Sequence, residues 1–144
     1  PEEPAPGLRN CATRPRRTMK LHTSTPSGIQ VFTGYGEGFV LVNGQRIERS
    51  VIVLPDRLIE GWAGSFDALD AAQLESLADL GRDVVLLGTG SRLRFPAPAL
   101  LRSAQRRYQA AGMGLEVMDV PAACRTYNIL IAEERKVAAA LLLP

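Results

Sequence analysis

The sequence predicts an α/β domain: a three-layer fold with a mixed central sheet, helices on its faces and an N-terminal β-hairpin region. Three observations predict it. The first half of the chain alternates apolar and polar residues with a period of two around turn signals. The second half alternates helix-period segments with short apolar runs suited to strands covered on both faces. A length of 144 residues suits one hydrophobic core. Residues 1–18 read as a disordered basic and Pro-rich tail, and 19–144 as the single domain.

Residues 29–33 alternate as a strand, and Gly34-Tyr35-Gly36 breaks it. Residues 39–42 follow, and Asn43-Gly44 marks a tight hairpin. Residues 45–54 read as one partner strand with Ile47, Val51 and Val53 on its apolar side; Pro55-Asp56 ends it. Residues 58–62 form another short strand. Asp70 then caps a helix with Leu74, Leu77 and Ala78 inward, closed by Gly81. Residues 83–88 are a nearly continuous apolar strand. Pro98 opens a second helix with Leu100, Leu101, Ala104 and Tyr108 buried, stopped by Gly112. Residues 114–120 form a strand, Pro121 opens a third helix with Tyr127, Leu130 and Ile131 inward, and 137–143 form a last buried strand.

Charge and composition narrow the function classes. The tail region through Lys20 holds five basic groups and two acids, leaving twelve basic against thirteen acidic groups in the rest. The folded part is therefore close to neutral, unlike a domain built to hold nucleic acid. No apolar run reaches the ~18 residues of a membrane span. Two cysteines, Cys11 and Cys124, make neither a disulfide framework nor a zinc set. They point to a reducing, cytoplasmic compartment.

One series of segments is distinctive. Leu86-Leu87-Gly88-Thr89-Gly90 is followed by a helix and by Gly114-Leu115-Glu116-Val117-Met118. Then come Ala122-Ala123-Cys124-Arg125-Thr126-Tyr127-Asn128-Ile129-Leu130 and Glu133-Glu134-Arg135-Lys136-Val137. From about Met19 to Pro144 the chain resembles a family of small α/β domains of unknown function, typified by a methanogen protein and including the mitochondrial respiratory complex I assembly factor three. The resemblance implies the three-layer fold, no established enzyme activity, and an interaction or assembly role with a protein partner. In the family's Glu-Gly-Arg turn this chain has Glu134 in place of Gly, which requires a left-handed residue there or a different helix ending.

Several residues are candidates for chemistry. Gly88, Thr89 and Gly90 follow a buried strand, where ligands gather in open α/β sheets. The segment lacks the Lys-Ser/Thr of a phosphate loop and the full dinucleotide fingerprint. A tight turn is one reading. The other is a ligand, anion or partner pocket formed by Gly88, Thr89, Gly90, Arg125, Thr126 and Asn128. Thr126 and Asn128 are alternatively braces that hold the glycine loop. Cys124 lies near a helix start, where thiols can be activated, but is also a common buried residue. The single histidine, His22, is far from it in sequence. Arg102, Arg106 and Arg107, with Arg92 and Arg94, form a basic patch: a solvated face, a partner surface, or a weak nucleic-acid site. No catalytic constellation, metal set or cofactor motif is complete. The leading expectation is a non-enzymatic interaction or assembly module, with a small-molecule or anion site at the glycine loop as the alternative.

Overall fold

The computed structural model describes residues 19–20 and 28–143. The expectations for the tail, Cys11 and His22 fall outside them. Nine strands and three helices follow one another as β1 (Met19–Lys20), β2 (Phe32–Gly36), β3 (Phe39–Val42), β4 (Gln45–Ile47), β5 (Val51–Leu54), β6 (Arg57–Glu60), α1 (Ala71–Ser76), β7 (Val84–Gly88), α2 (Pro98–Ala110), β8 (Gly114–Met118), α3 (Val120–Ala132) and β9 (Val137–Leu141). The first four strands form an antiparallel sheet in chain order, and the other five form a mixed sheet in the order β6-β5-β9-β7-β8. In the mixed sheet β7 runs parallel to β8 and β9, while β5 is antiparallel to β9 and β6.

Alternation along the central strands divides the core. Val51, Val53, Leu86, Ala139 and Leu141 face one side, together with α3 and the apolar side of the antiparallel sheet. Ile52, Leu54, Val85, Leu87, Ala138 and Ala140 face the other, against α1 and α2. The layers are thus α1 with α2, the mixed sheet, and α3 with the antiparallel sheet. Successive side chains of a strand point to opposite faces, which is why the apolar runs at 84–88 and 137–141 read as continuous.

Local details correct several boundaries. The strand expected at 114–120 ends at Met118, because Asp119 caps α3 and Val120 begins it. The strand expected at 29–33 is shifted: Gly34, Tyr35 and Gly36 continue β2, with a register irregularity between Phe32 and Gly34, and the reversal falls at Glu37-Gly38. Glycine inside a strand marked a bulge there rather than a break. The single strand expected at 45–54 is two strands in different sheets. Its interruption places Ser50 where its hydroxyl accepts the Leu143 N–H (3.0 Å) and donates to the Leu143 carbonyl (3.2 Å). The strand expected at 58–62 ends at Glu60, and Trp62 lies beyond it with its indole N–H donating to the Leu141 carbonyl at 3.0 Å. The first helix tightens into a 3₁₀ turn over Leu77–Leu80 before Gly81 at φ 71°.

Helix ends follow their caps. Asp70 and Gln73 form a reciprocal capping box on α1, and Asp119 accepts the Ala122 N–H at the start of α3. At the other end of α3, Glu134 takes the left-handed conformation at φ 61°. The Arg135 N–H reaches back to the Leu130 carbonyl at 2.9 Å, closing the helix as a glycine would.

Candidate functional site

The glycine loop leaves the mixed sheet at the carboxyl end of β7, the strand between β9 and β8. Gly88 is needed for packing there. A Cβ on it would lie 2.7 Å from Leu141 Cδ2, 3.2 Å from Val120 Cγ2 and 3.4 Å from Ala123 Cβ. Its missing side chain lets the first turn of α3 settle on β7. Gly90 instead supplies backbone freedom, at φ 118°. Between them Thr89 is fully buried. Its hydroxyl accepts the Arg94 N–H at 3.0 Å and turns its one hydrogen toward the carbonyls of Arg92 (3.2 Å) and Met118 (3.3 Å). Thr89 therefore braces its own loop.

The loop and α3 meet. The Val120 N–H donates to the Gly90 carbonyl at 2.8 Å, and the Thr89 N–H to the Met118 carbonyl at 2.9 Å. The start of α3 keeps no free donor for an anion. Val120 is bonded to Gly90, Pro121 has no N–H, Ala122 is bonded to the Asp119 carboxylate and Ala123 to the Asp119 carbonyl.

Beside this junction lies a cleft of about 560 Å³, within the size range of small-molecule sites. Its walls are the β2–β3 turn from Tyr35 to Gly38, the pair Ser65-Phe66, the loop residues Gly90, Ser91 and Arg94, the start of α3 at Val120 and Pro121, and Leu142-Leu143. Leu142, Leu143 and Val120 give an apolar floor. The Arg94 guanidinium sits 4.2 Å from the Phe66 ring centre, a cation–π arrangement, and reaches toward the Thr89 carbonyl at 3.5 Å.

Of the six residues expected to share a pocket, only Gly90 lines this cleft. Gly88 and Thr89 lie beneath it in packed backbone. Arg125 stands behind one wall, donating to the Tyr35 hydroxyl at 3.0 Å. Thr126 is half-buried on α3. Asn128 is turned away: its carbonyl accepts the Phe32 N–H at 3.0 Å and its amide donates to the Phe32 carbonyl at 2.7 Å. The expectation that Asn128 braces the glycine loop is therefore corrected. It serves as a missing strand partner for β2. Phe66, Tyr35 and Leu142-Leu143 carried no local sequence signal as cleft residues, because the fold joins them from distant segments.

Cys124 is fully buried. Burial pushes its thiol well above the ordinary range; Arg125 pulls it down and Asp119 raises it further. It is held as a neutral thiol, the reverse of an activated nucleophile. Tyr108 and Tyr127 are likewise pushed up, chiefly by burial. Among the described residues no group of three His, Cys, Asp or Glu side chains is placed to hold a metal ion. No helix among them is long and apolar enough to cross a membrane.

The basic patch divides. Arg107 pairs with Asp79 at 2.6 Å, on the side of α2 that faces α1. Arg102 and Arg106, four residues apart, are exposed on the outward side. Leu93 and Phe95, in the loop leading to α2, are 49% and 62% exposed. Ile129 on α3 is the other large apolar side chain exposed among the described residues.

Comparison with known proteins places these features in a wider set. The family model described as a protein of unknown function (DUF498/DUF598) matches residues 32–142. The NADH dehydrogenase [ubiquinone] 1 alpha subcomplex assembly factor 3 of Bos taurus is 31% identical over 130 residues, covering 89% of this chain and 68% of that protein. An uncharacterised protein of Rhodobacter capsulatus is 34% identical over 116 residues, covering 81% of this chain and 86% of the relative. Among solved structures, a Bordetella parapertussis protein superposes with a TM-score of 0.72 at 34% identity, covering 83% of this chain and all of its own. A Bordetella pertussis Mth938-like domain gives 0.69 at 31% identity, covering 87% of this chain and 92% of the other.

Proposed function

The chain belongs to this family of unknown function, and we propose that it is a protein-binding module of the assembly-factor kind, with no reaction of its own. The observation that carries the proposal is the exposure of Leu93 and Phe95 in the loop that leads into α2, the helix whose outward face carries Arg102 and Arg106. Large apolar side chains grouped on a surface with arginine are characteristic of protein interfaces. The similarity to an assembly factor supports the same reading. The buried, neutral Cys124 leaves no activated nucleophile at the glycine loop. The test is affinity purification of the full chain from native lysate, with wild type beside a Leu93→Asp/Phe95→Asp variant. The proposal expects a stable partner that the variant loses. Recovery of no stable partner at any ionic strength overturns it.

The cleft favours a second reading. Its volume and apolar floor suit a small molecule with an apolar body. Native mass spectrometry of the protein isolated from cells would then show a retained small molecule. A bare mass, together with no thermal shift across a panel of apolar acids and amides, would exclude that reading.

A further inference from the structure

We infer that loop 91–97 and the outward face of α2 dock an acidic protein segment bearing apolar side chains; this rests on the protein-binding reading and adds the chemistry of the partner. The charge is one-sided. Between Asp83 and Glu116 the chain has no carboxylate and has five arginines. Arg107 is engaged by Asp79, and Arg94, itself exposed, lies over the Phe66 ring. Arg92, Arg102 and Arg106 remain exposed. A complementary partner carries Asp or Glu, since like charge against this face is repelled.

The apolar part lies in the same loop: Leu93 and Phe95 are exposed on either side of Arg94. The loop that presents them is tied down. The Thr89 hydroxyl accepts the Arg94 N–H and reaches the Arg92 carbonyl, Pro96 is buried, and Pro98 opens α2. Binding there orders little new chain, which lowers the cost of association. A nucleic-acid surface would have no use for Leu93, and an interfacial membrane element presents a broader apolar face than two side chains. An acidic segment with apolar anchors matches both halves of the surface.

The test is selection of a random 12-residue phage library on the immobilised full chain, followed by synthesis of the best peptides. The inference expects enriched sequences with at least two Asp or Glu residues beside Leu, Phe, Tyr or Trp. Their Kd should rise at least tenfold in an Arg102→Glu/Arg106→Glu variant and in a Leu93→Ser/Phe95→Ser variant. All four positions are exposed, and circular dichroism checks that both variants fold. Enriched peptides without acidic residues, peptides indifferent to both variants, or no enrichment over an unrelated control protein overturn the inference. Arginine-dependent sedimentation with phosphatidylglycerol vesicles, or retention on a DNA column, in place of peptide binding overturns it in favour of those occupants. A stable native partner that is lost in the Leu93→Ser/Phe95→Ser variant but ignores the Arg102→Glu/Arg106→Glu variant overturns the acidic-segment inference alone and leaves the protein-binding reading standing.

Discussion

Replacing Asn128 by alanine removes two hydrogen bonds at once and leaves two backbone groups with nothing in their place. The Asn128 side chain accepts the Phe32 N–H and donates to the Phe32 carbonyl. Phe32 is fully buried and Asn128 is 7% exposed, so water does not readily substitute. An unsatisfied buried polar group costs about 1–3 kcal/mol. The pair therefore predicts a loss of about 2–6 kcal/mol, a large part of the ~5–15 kcal/mol that stabilises a typical domain. Urea unfolding, followed by far-UV circular dichroism and by Trp62 fluorescence, gives the difference directly. With a urea slope of about 1–3 kcal/mol per molar, the midpoint should fall by at least ~0.7 M. Asn128→Asp sharpens the test. The new carboxyl keeps an acceptor for the Phe32 N–H, but when ionised it faces the Phe32 carbonyl without a proton to donate. Burial raises its folded-state pKa above the ordinary ~3.9. Stability is then retained below that ordinary value and lost as pH rises through the raised one, so the gap from wild type should be wider at pH 7 than at pH 4. A loss below ~0.5 kcal/mol for Asn128→Ala, inside the range of ordinary surface changes, would refute the bracing role.

Three other outcomes follow from the packing and the titrating groups. Gly88→Ala brings a methyl into Leu141 and Val120 and should destabilise by about 1–3 kcal/mol, measured by the same unfolding curves. Glu134→Gly should raise stability by about 1 kcal/mol, because the position is left-handed. Cys124, Tyr108 and Tyr127 all have raised folded-state pKa values, so their contribution is complete below the unfolded values and is lost as pH rises. Stability should therefore fall from about pH 8.5 upward, where an unfolded thiol begins to ionise. Cys124→Ala should remove the earliest part of that fall, and native protein at pH 8.5 should resist iodoacetamide until denatured.

Much of the fold was legible because side-chain periods are local. The apolar runs at β7 and β9, the Asp70 cap and the Pro98 start all appear in short windows of sequence. The switch between β4 and β5 was not legible. Ile47, Val51 and Val53 all lie in the same core cluster, so the same parity holds on both sides of a change of sheet, interrupted only by the exposed Arg49. Only the distant bond partner of Ser50 marks the transfer. At the candidate site, Gly88 and Gly90 stood out from their neighbours, but their roles differ: one makes room for a helix, the other allows a turn. Asn128 was visible as a polar residue on a buried helix face. Its partner on β2 is 96 residues away, and nothing local points to it.

That same separation governs the order in which the molecule can be completed. β2 waits for Asn128 of α3, and Val51, Ile52 and Val53 of β5 wait for Leu141, Ala140 and Ala139 of β9. During synthesis the early hairpins emerge with open edges and an uncovered apolar side, and Asn128, which completes β2, follows 96 residues after Phe32. Contacts so distant in sequence form slowly, and exposed edges invite association meanwhile. Closure of these early strands thus waits on α3 and β9, leaving a nascent interval in which a chaperone would find its binding surface on the antiparallel sheet.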